Sequence, residues 1–136
     1  MPSLPTVGGD INSWGTELND FLLQGHNSDG SNRYIAPITL SFGSSITPAD
    51  GGGPQIIDAS SGIAFTINAV VTPVAGQVMI FDIRNNSGGA LGTITWNAVF
   101  KLAGVFTNPA NTKRRTITFY YDGTNWVETC RNAADI

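Results

Sequence analysis

The chain has 136 residues, of which 41% are hydrophobic and only 12% charged, with a formal net charge of −3. That length suits one domain with a self-sufficient core and is short for two. The negative balance excludes a general nucleic-acid binder, which needs clustered Lys and Arg to neutralise phosphate, and no apolar run approaches the roughly 20 residues that span a bilayer.

The charged share is about half the ~25% usual in globular domains, so much of the surface is expected to face other protein or to be covered by Ser, Thr, Asn and Gly. Cys130 is the only cysteine, which rules out an internal disulfide and any dependence on oxidising conditions. The opening MPSLPTV lacks the basic and continuous apolar regions of a signal peptide, so synthesis and folding in cytoplasm are expected.

Residues 8–31, GGDINSWGTELNDFLLQGHNSDGS, are the one stretch that reads as a helix. Ile11, Trp14, Leu18, Phe21 and Leu22 fall on one stripe of a 3.6-residue period. Asp10 is placed to cap the start and Gly25 to end it. Gly15 costs about 1 kcal/mol relative to Ala, and a helix of about four turns is marginal alone. It must dock, and the Trp and Phe of its stripe carry large areas to bury. The Pro-rich residues ahead of it read as an extended arm.

After residues 27–30 the texture changes to short runs rich in Ile, Val, Thr, Phe and Tyr, separated by Gly, Pro, Asn and Asp. Strands are expected over 34–42, 55–58, 63–71, 77–84, 92–96, 99–102, 116–121 and 126–130. Ile117, Phe119 and Tyr121 alternate onto one face, whereas Val78, Ile80 and Ile83 keep no regular pattern, suggesting a bulge or burial on both sides. Residues 121–126, YDGTNW, are the strongest hairpin signal. The run TPADGGGP at 47–54 reads as a wide surface loop rather than a hinge. About eight short strands predict a mainly β fold, a single jelly-roll-like β-sandwich over 32–136 preceded by the arm and helix of 1–31. No repeat of fixed period appears, which argues against a β-helix or propeller.

The supply of catalytic groups is poor. His26 is the sole histidine and its place at the helix exit suits capping; Cys130, in a strand-like segment, reads as a small buried hydrophobe. No Cys-x-x-Cys or His pair offers zinc ligands, residues 26–30 lack the spacing of a calcium loop, and Gly51-Gly52-Gly53 lacks the Gly-Lys-Ser/Thr that would cradle phosphate. Neither metal nor cofactor is expected. Asp50, Asp58 and Asp82 are the only candidates for a glycosidase-like acid pair. The run Lys113-Arg114-Arg115 reads as a solvated strand entry. Trp96, Trp126, Tyr120 and Tyr121 could contact a glycan, with Trp126 beside the hairpin turn and Tyr120 as the foremost, although packing is the commoner fate of such rings.

The stretch LPTVGGDINSWGTELNDFLLQGHNSDGS resembles a leader found in structural proteins of tailed bacteriophages. The matching residues are Pro5, Gly8, Gly9, Asp10, Asn12, Trp14, Gly15, Leu18, Asn19, His26, Asn27, Asp29 and Gly30. The run KRRTITFYYDGTNWVE at 113–128 resembles the closing hairpin of many such β-rich modules, whereas 34–111 carries no resemblance. The resemblance implies a homotrimer and a place in the virion. The expected function is therefore a non-enzymatic decoration or cement protein that clamps the phage major capsid protein, or a tail protein, with Ile11, Trp14, Leu18, Phe21 and Leu22 at the oligomer or partner interface. The alternative expectation is a tail-fibre or receptor-binding tip that contacts a host surface glycan.

Overall fold

The computed structural model describes Leu18, His26, Ser31 and residues 34–136. The chain divides into two units, Met1–Tyr34 and Ile35–Ile136. In the first, Leu18 is helical and half-buried, and His26 is exposed within a β-bridge. The other positions of the expected stripe, Ile11, Trp14, Phe21 and Leu22, lie outside the described residues, as does the arm.

The second unit is built from nine strands: β1 (Ile38–Leu40), β2 (Ser45–Ile46), β3 (Gly53–Ala59), β4 (Phe65–Ile67), β5 (Val78–Asn85), β6 (Ile94–Trp96), β7 (Phe100–Lys101), β8 (Arg114–Tyr121) and β9 (Trp126–Arg131). A six-stranded sheet runs β1-β3-β5-β8-β9-β7, and a three-stranded sheet runs β2-β4-β6. From β1 to β6 the chain alternates between the two sheets, and each strand pairs in parallel with the one two places before it. This is the winding of a short parallel β-helix of three coils.

The fold is mainly β, as expected, but the pairing is not that of the expected jelly-roll-like sandwich: only β5–β8 and β8–β9 are antiparallel. A count of strands carries no information on their direction, which the connections decide. The coils also have unequal lengths, so no period marks them. Ile38, Gln55 and Phe81 stack in one sheet, and Ser45, Thr66 and Thr95 in the other.

Alternation within the strands places the core between the sheets. From the larger sheet come Ile57, Met79, Phe81, Ile83, Ile117 and Phe119, and from the smaller Ile46, Phe65 and Ile67, all within one buried cluster. In β5 the inward residues are Met79, Phe81 and Ile83, with Val78 exposed and Ile80 half-buried. The strand is regular, and its pattern was obscure because apolar residues stand on both faces.

The corners between coils are held by buried amides. The side chain of Gln55 is fully buried; its Oε1 accepts from Ala49 N at 3.0 Å and its Nε2 donates to the Gly52 carbonyl at 3.3 Å. The 47–54 run is thus a tight corner against β5, not a wide loop: a Cβ on Gly52 would stand 2.7 Å from the Val78 carbonyl oxygen. Asn85, also fully buried, donates to the carbonyls of Gly89 and Pro109 and accepts from Ser87. Both amides replace water for backbone groups that leave a strand inside the fold.

After the third coil, β7 goes to the far edge of the large sheet, in parallel with β9. The β8–β9 hairpin fills the place between β5 and β7. Its turn is the expected one: Asp122 Oδ1 accepts from the N–H groups of Thr124 and Asn125, and Gly123 takes a positive φ.

Candidate functional site

A groove of about 590 Å³ lies beside the third coil. One wall is β6 and its approach, Thr93, Ile94 and Trp96; the other is the segment from Leu102 to Asn108. No charged residue lines it. At one end the Asn108 amide donates to the Gly92 carbonyl at 2.9 Å. Trp96 meets Phe106 edge-on with ring centroids 5.7 Å apart, and the same indole contacts Phe81, Phe100 and Phe119. Its Nε1 is buried with no acceptor among the described residues.

The second wall is fastened to β9 by a pair of charges that a local irregularity brings together. Residues three apart on a regular strand point to opposite faces. Between Thr118 and Phe119 the β8–β9 register shifts, so that Phe119 pairs with Glu128 and Ile117 with Arg131. Phe119 and Ile117 both face the core, and the extra residue therefore turns Glu128 and Arg131 to the same side. The two form an ion pair, with the Glu128 side chain only 5% exposed. Glu128 Oε2 accepts from Ala103 N at 2.7 Å, and Arg131 donates to the carbonyls of Val105 at 2.7 Å and Gly104 at 3.1 Å. The guanidinium also lies over the Phe106 ring, 5.8 Å from its centroid. The Arg131 hydrogen bond holds the Glu128 carboxyl below the usual carboxylate range, and the same bond raises Arg131. Glu128 and Arg131 are structural here: they set the position of residues 103–106.

A second, smaller groove of about 260 Å³ is lined by Arg84, Asn86, Thr112, Lys113, Arg114 and Ile136. Arg84 is bound to Asp82 at 2.8 Å, and Arg114 stands 3.6 Å from the same carboxylate. The Lys113-Arg114-Arg115 run is split in use, with Lys113 exposed and Arg115 paired to Asp135.

The other residues singled out in the sequence are dispersed. Trp126 is 1% exposed, stacked on Phe100 and packed against Tyr121, so the expected surface contact at this position is corrected to a core position. Tyr120 is 40% exposed, beside Val78 on the outer face of the large sheet. Cys130 is exposed rather than buried, because the bulge turns its part of β9 outward. Asp50 accepts from Thr72 N, Asp58 from Asn86 and Asp82 from Arg84, each with its own structural partner. Among the described residues no three His, Cys, Asp or Glu gather where they could hold a metal ion.

The sequence offers Trp96 as a sugar contact or a packed ring and Leu102 as the end of a strand, but gives no role to Val105, Phe106, Glu128 or Arg131. The one available signal was the apolar pair Val105-Phe106 in a stretch otherwise read as loop. No family model, curated protein or solved structure matches this chain.

Proposed function

We propose that this chain is a non-enzymatic bacteriophage virion structural protein, a homotrimeric capsid decoration or cement protein. The leader resemblance motivates the phage setting. The observation that carries the self-associating role is the outer face of the six-stranded sheet. There Val78 and Tyr120 stand opposite each other, 51% and 40% exposed, and Ile80 lies between Pro54 and Thr118. A sheet whose β1, β3 and β5 run parallel ordinarily has both faces covered, and an exposed apolar row is a surface that protein contact buries. Clamping a shell then works by adding buried interface across neighbouring subunits.

Light scattering on the purified chain tests the assembly: a trimer mass is expected, falling to the monomer in Ile80→Lys. Immunogold labelling of particles tests the location, with label on heads supporting decoration. A monomer at all concentrations, with unlabelled particles, overturns the reading. The exposed Tyr120 favours one alternative, a receptor-binding tip that contacts a host glycan. Label confined to tails, together with glycan-array binding lost in Tyr120→Ala, would establish it instead.

A further inference from the structure

Phe65 N donates to the Thr93 carbonyl at 3.1 Å, and Asn97 N donates to the Ile67 carbonyl at 2.9 Å. Backbone groups alternate sides along a strand, so the residues of β6 in step with Thr93 and Asn97 are turned towards β4. The N–H and C=O groups of Ile94 and Trp96 are consequently turned away from it. β6 ends the three-stranded sheet among the described strands, and its Ile94 and Trp96, with Thr93 ahead of them, line one wall of the 590 Å³ groove.

The facing wall does not supply the missing pairing. Its Ala103 N–H and the carbonyls of Gly104 and Val105 are committed to Glu128 and Arg131 on β9. Among the described residues the result is an open strand edge with an uncharged, largely apolar wall across from it.

From this we infer that the groove is a strand-addition site, which takes an extended, uncharged peptide segment of a partner protein along β6. The peptide backbone satisfies the outward groups of Ile94 and Trp96, and alternate apolar side chains of the segment enter between Leu102 and Phe106. A glycan fits the same groove poorly. The Trp96 ring already packs against four aromatic side chains, and the Asn108 Nδ2 already donates to the Gly92 carbonyl, which leaves a sugar less to stack on and to bond. The inference rests on the β6 edge alone and stands or falls separately from the virion reading.

The test uses the full chain, labelled with ¹⁵N, and the capped peptide acetyl-Val-Thr-Val-Thr-Val-amide as probe. A copy N-methylated at every residue serves as control, because it keeps the side chains but cannot pair as a strand. The expected result is a saturable shift of the Ile94, Trp96, Val105 and Phe106 amide signals with the unmethylated peptide only. Hydrogen exchange at Ile94 and Trp96 should slow at least ten-fold at saturation. Equal shifts with the methylated copy, no shift at millimolar peptide, or shifts only with added oligosaccharide would each overturn it. So would protection of both amides in the free protein that grows with its concentration, which would make a second copy the occupant.

Discussion

The stacked coils of β1–β6 and the hairpin of β8–β9 solve the same problem by different means. In the hairpin, strands of eight and six residues meet across a short turn whose geometry is set by Asp122 and Gly123. The instruction is local. In the coils, β2, β4 and β6 are only two or three residues long, and each finds its neighbour a whole coil away in sequence. What aligns them lies at the corners: the buried amides of Gln55 and Asn85, and a close approach at Gly92. Closing such loops costs entropy before any contact repays it. The coils therefore depend on packing where the hairpin depends on turn chemistry.

The two halves meet on Phe81, whose ring contacts Trp96 of the last coil as well as Phe100 and Phe119. Removing it should therefore break both together. Phe81→Ala is expected to cost about 3–5 kcal/mol, with urea transitions by tryptophan fluorescence and far-ultraviolet circular dichroism still coincident. Separate transitions would mean that coils and hairpin fold independently. Gly92→Ala strikes the coils alone. Its Cβ would stand 2.4 Å from the Ala64 backbone nitrogen, where no side chain can move aside, and a cost of about 3 kcal/mol is expected. Amide protection should fall in β4 and β6 before it falls in β8 and β9.

This contrast also explains how much of the fold is legible in the sequence. Each of the eight strands expected from the runs of β-branched and aromatic residues has a counterpart, and the 121–126 turn was legible down to its Asp and Gly. β2 was missed because Ser45–Ile46 offers no alternation to detect. The absence of a fixed period argues against coils, yet uneven corners absorb the difference in length without disturbing the in-register stack. The groove was least legible of all. Val105 and Phe106 sit in a stretch read as loop, and Glu128 and Arg131 share a side only because of a bulge that no residue type announces.

Glu128→Gln tests the fastening between the hairpin and the groove wall. It leaves Arg131 without its charged partner and weakens the contact to Ala103 N, a loss of about 1–3 kcal/mol at neutral pH. Exchange at Ala103, Gly104 and Val105 should quicken while the β3–β5 amides stay protected. The pH dependence has a definite sign. The folded Glu128 carboxyl titrates below its unfolded value, with the Arg131 hydrogen bond as the main cause. Its contribution is therefore complete above the unfolded pKa of ~4.3 and is lost as pH falls through the folded one. The gap in urea midpoint between wild type and variant should be widest at neutral pH and should close in acid.

Asp122→Ala should have the smallest effect, and it isolates the local instruction in the hairpin. The exposed carboxylate accepts from Asn125 N at 2.7 Å and Thr124 N at 2.8 Å, and these two bonds, Asn125 foremost, hold its pKa down. The turn keeps two other supports in the variant: Gly123 at φ 101° and the backbone bond from Asp122 N to the Asn125 carbonyl at 3.0 Å. The hairpin should therefore stay in register, with a shift in urea midpoint smaller than that of Glu128→Gln. Because the folded pKa is lowered, this shift too is present above the unfolded value of ~3.9 and vanishes in acid. The two carboxylates differ in where the loss is felt: exchange should quicken at Thr124 and Asn125 here, and at the groove wall for Glu128. If Asp122→Ala instead loosened Ala103 to Val105, the bulge and the turn would act as one unit, and the hairpin's order would not be local.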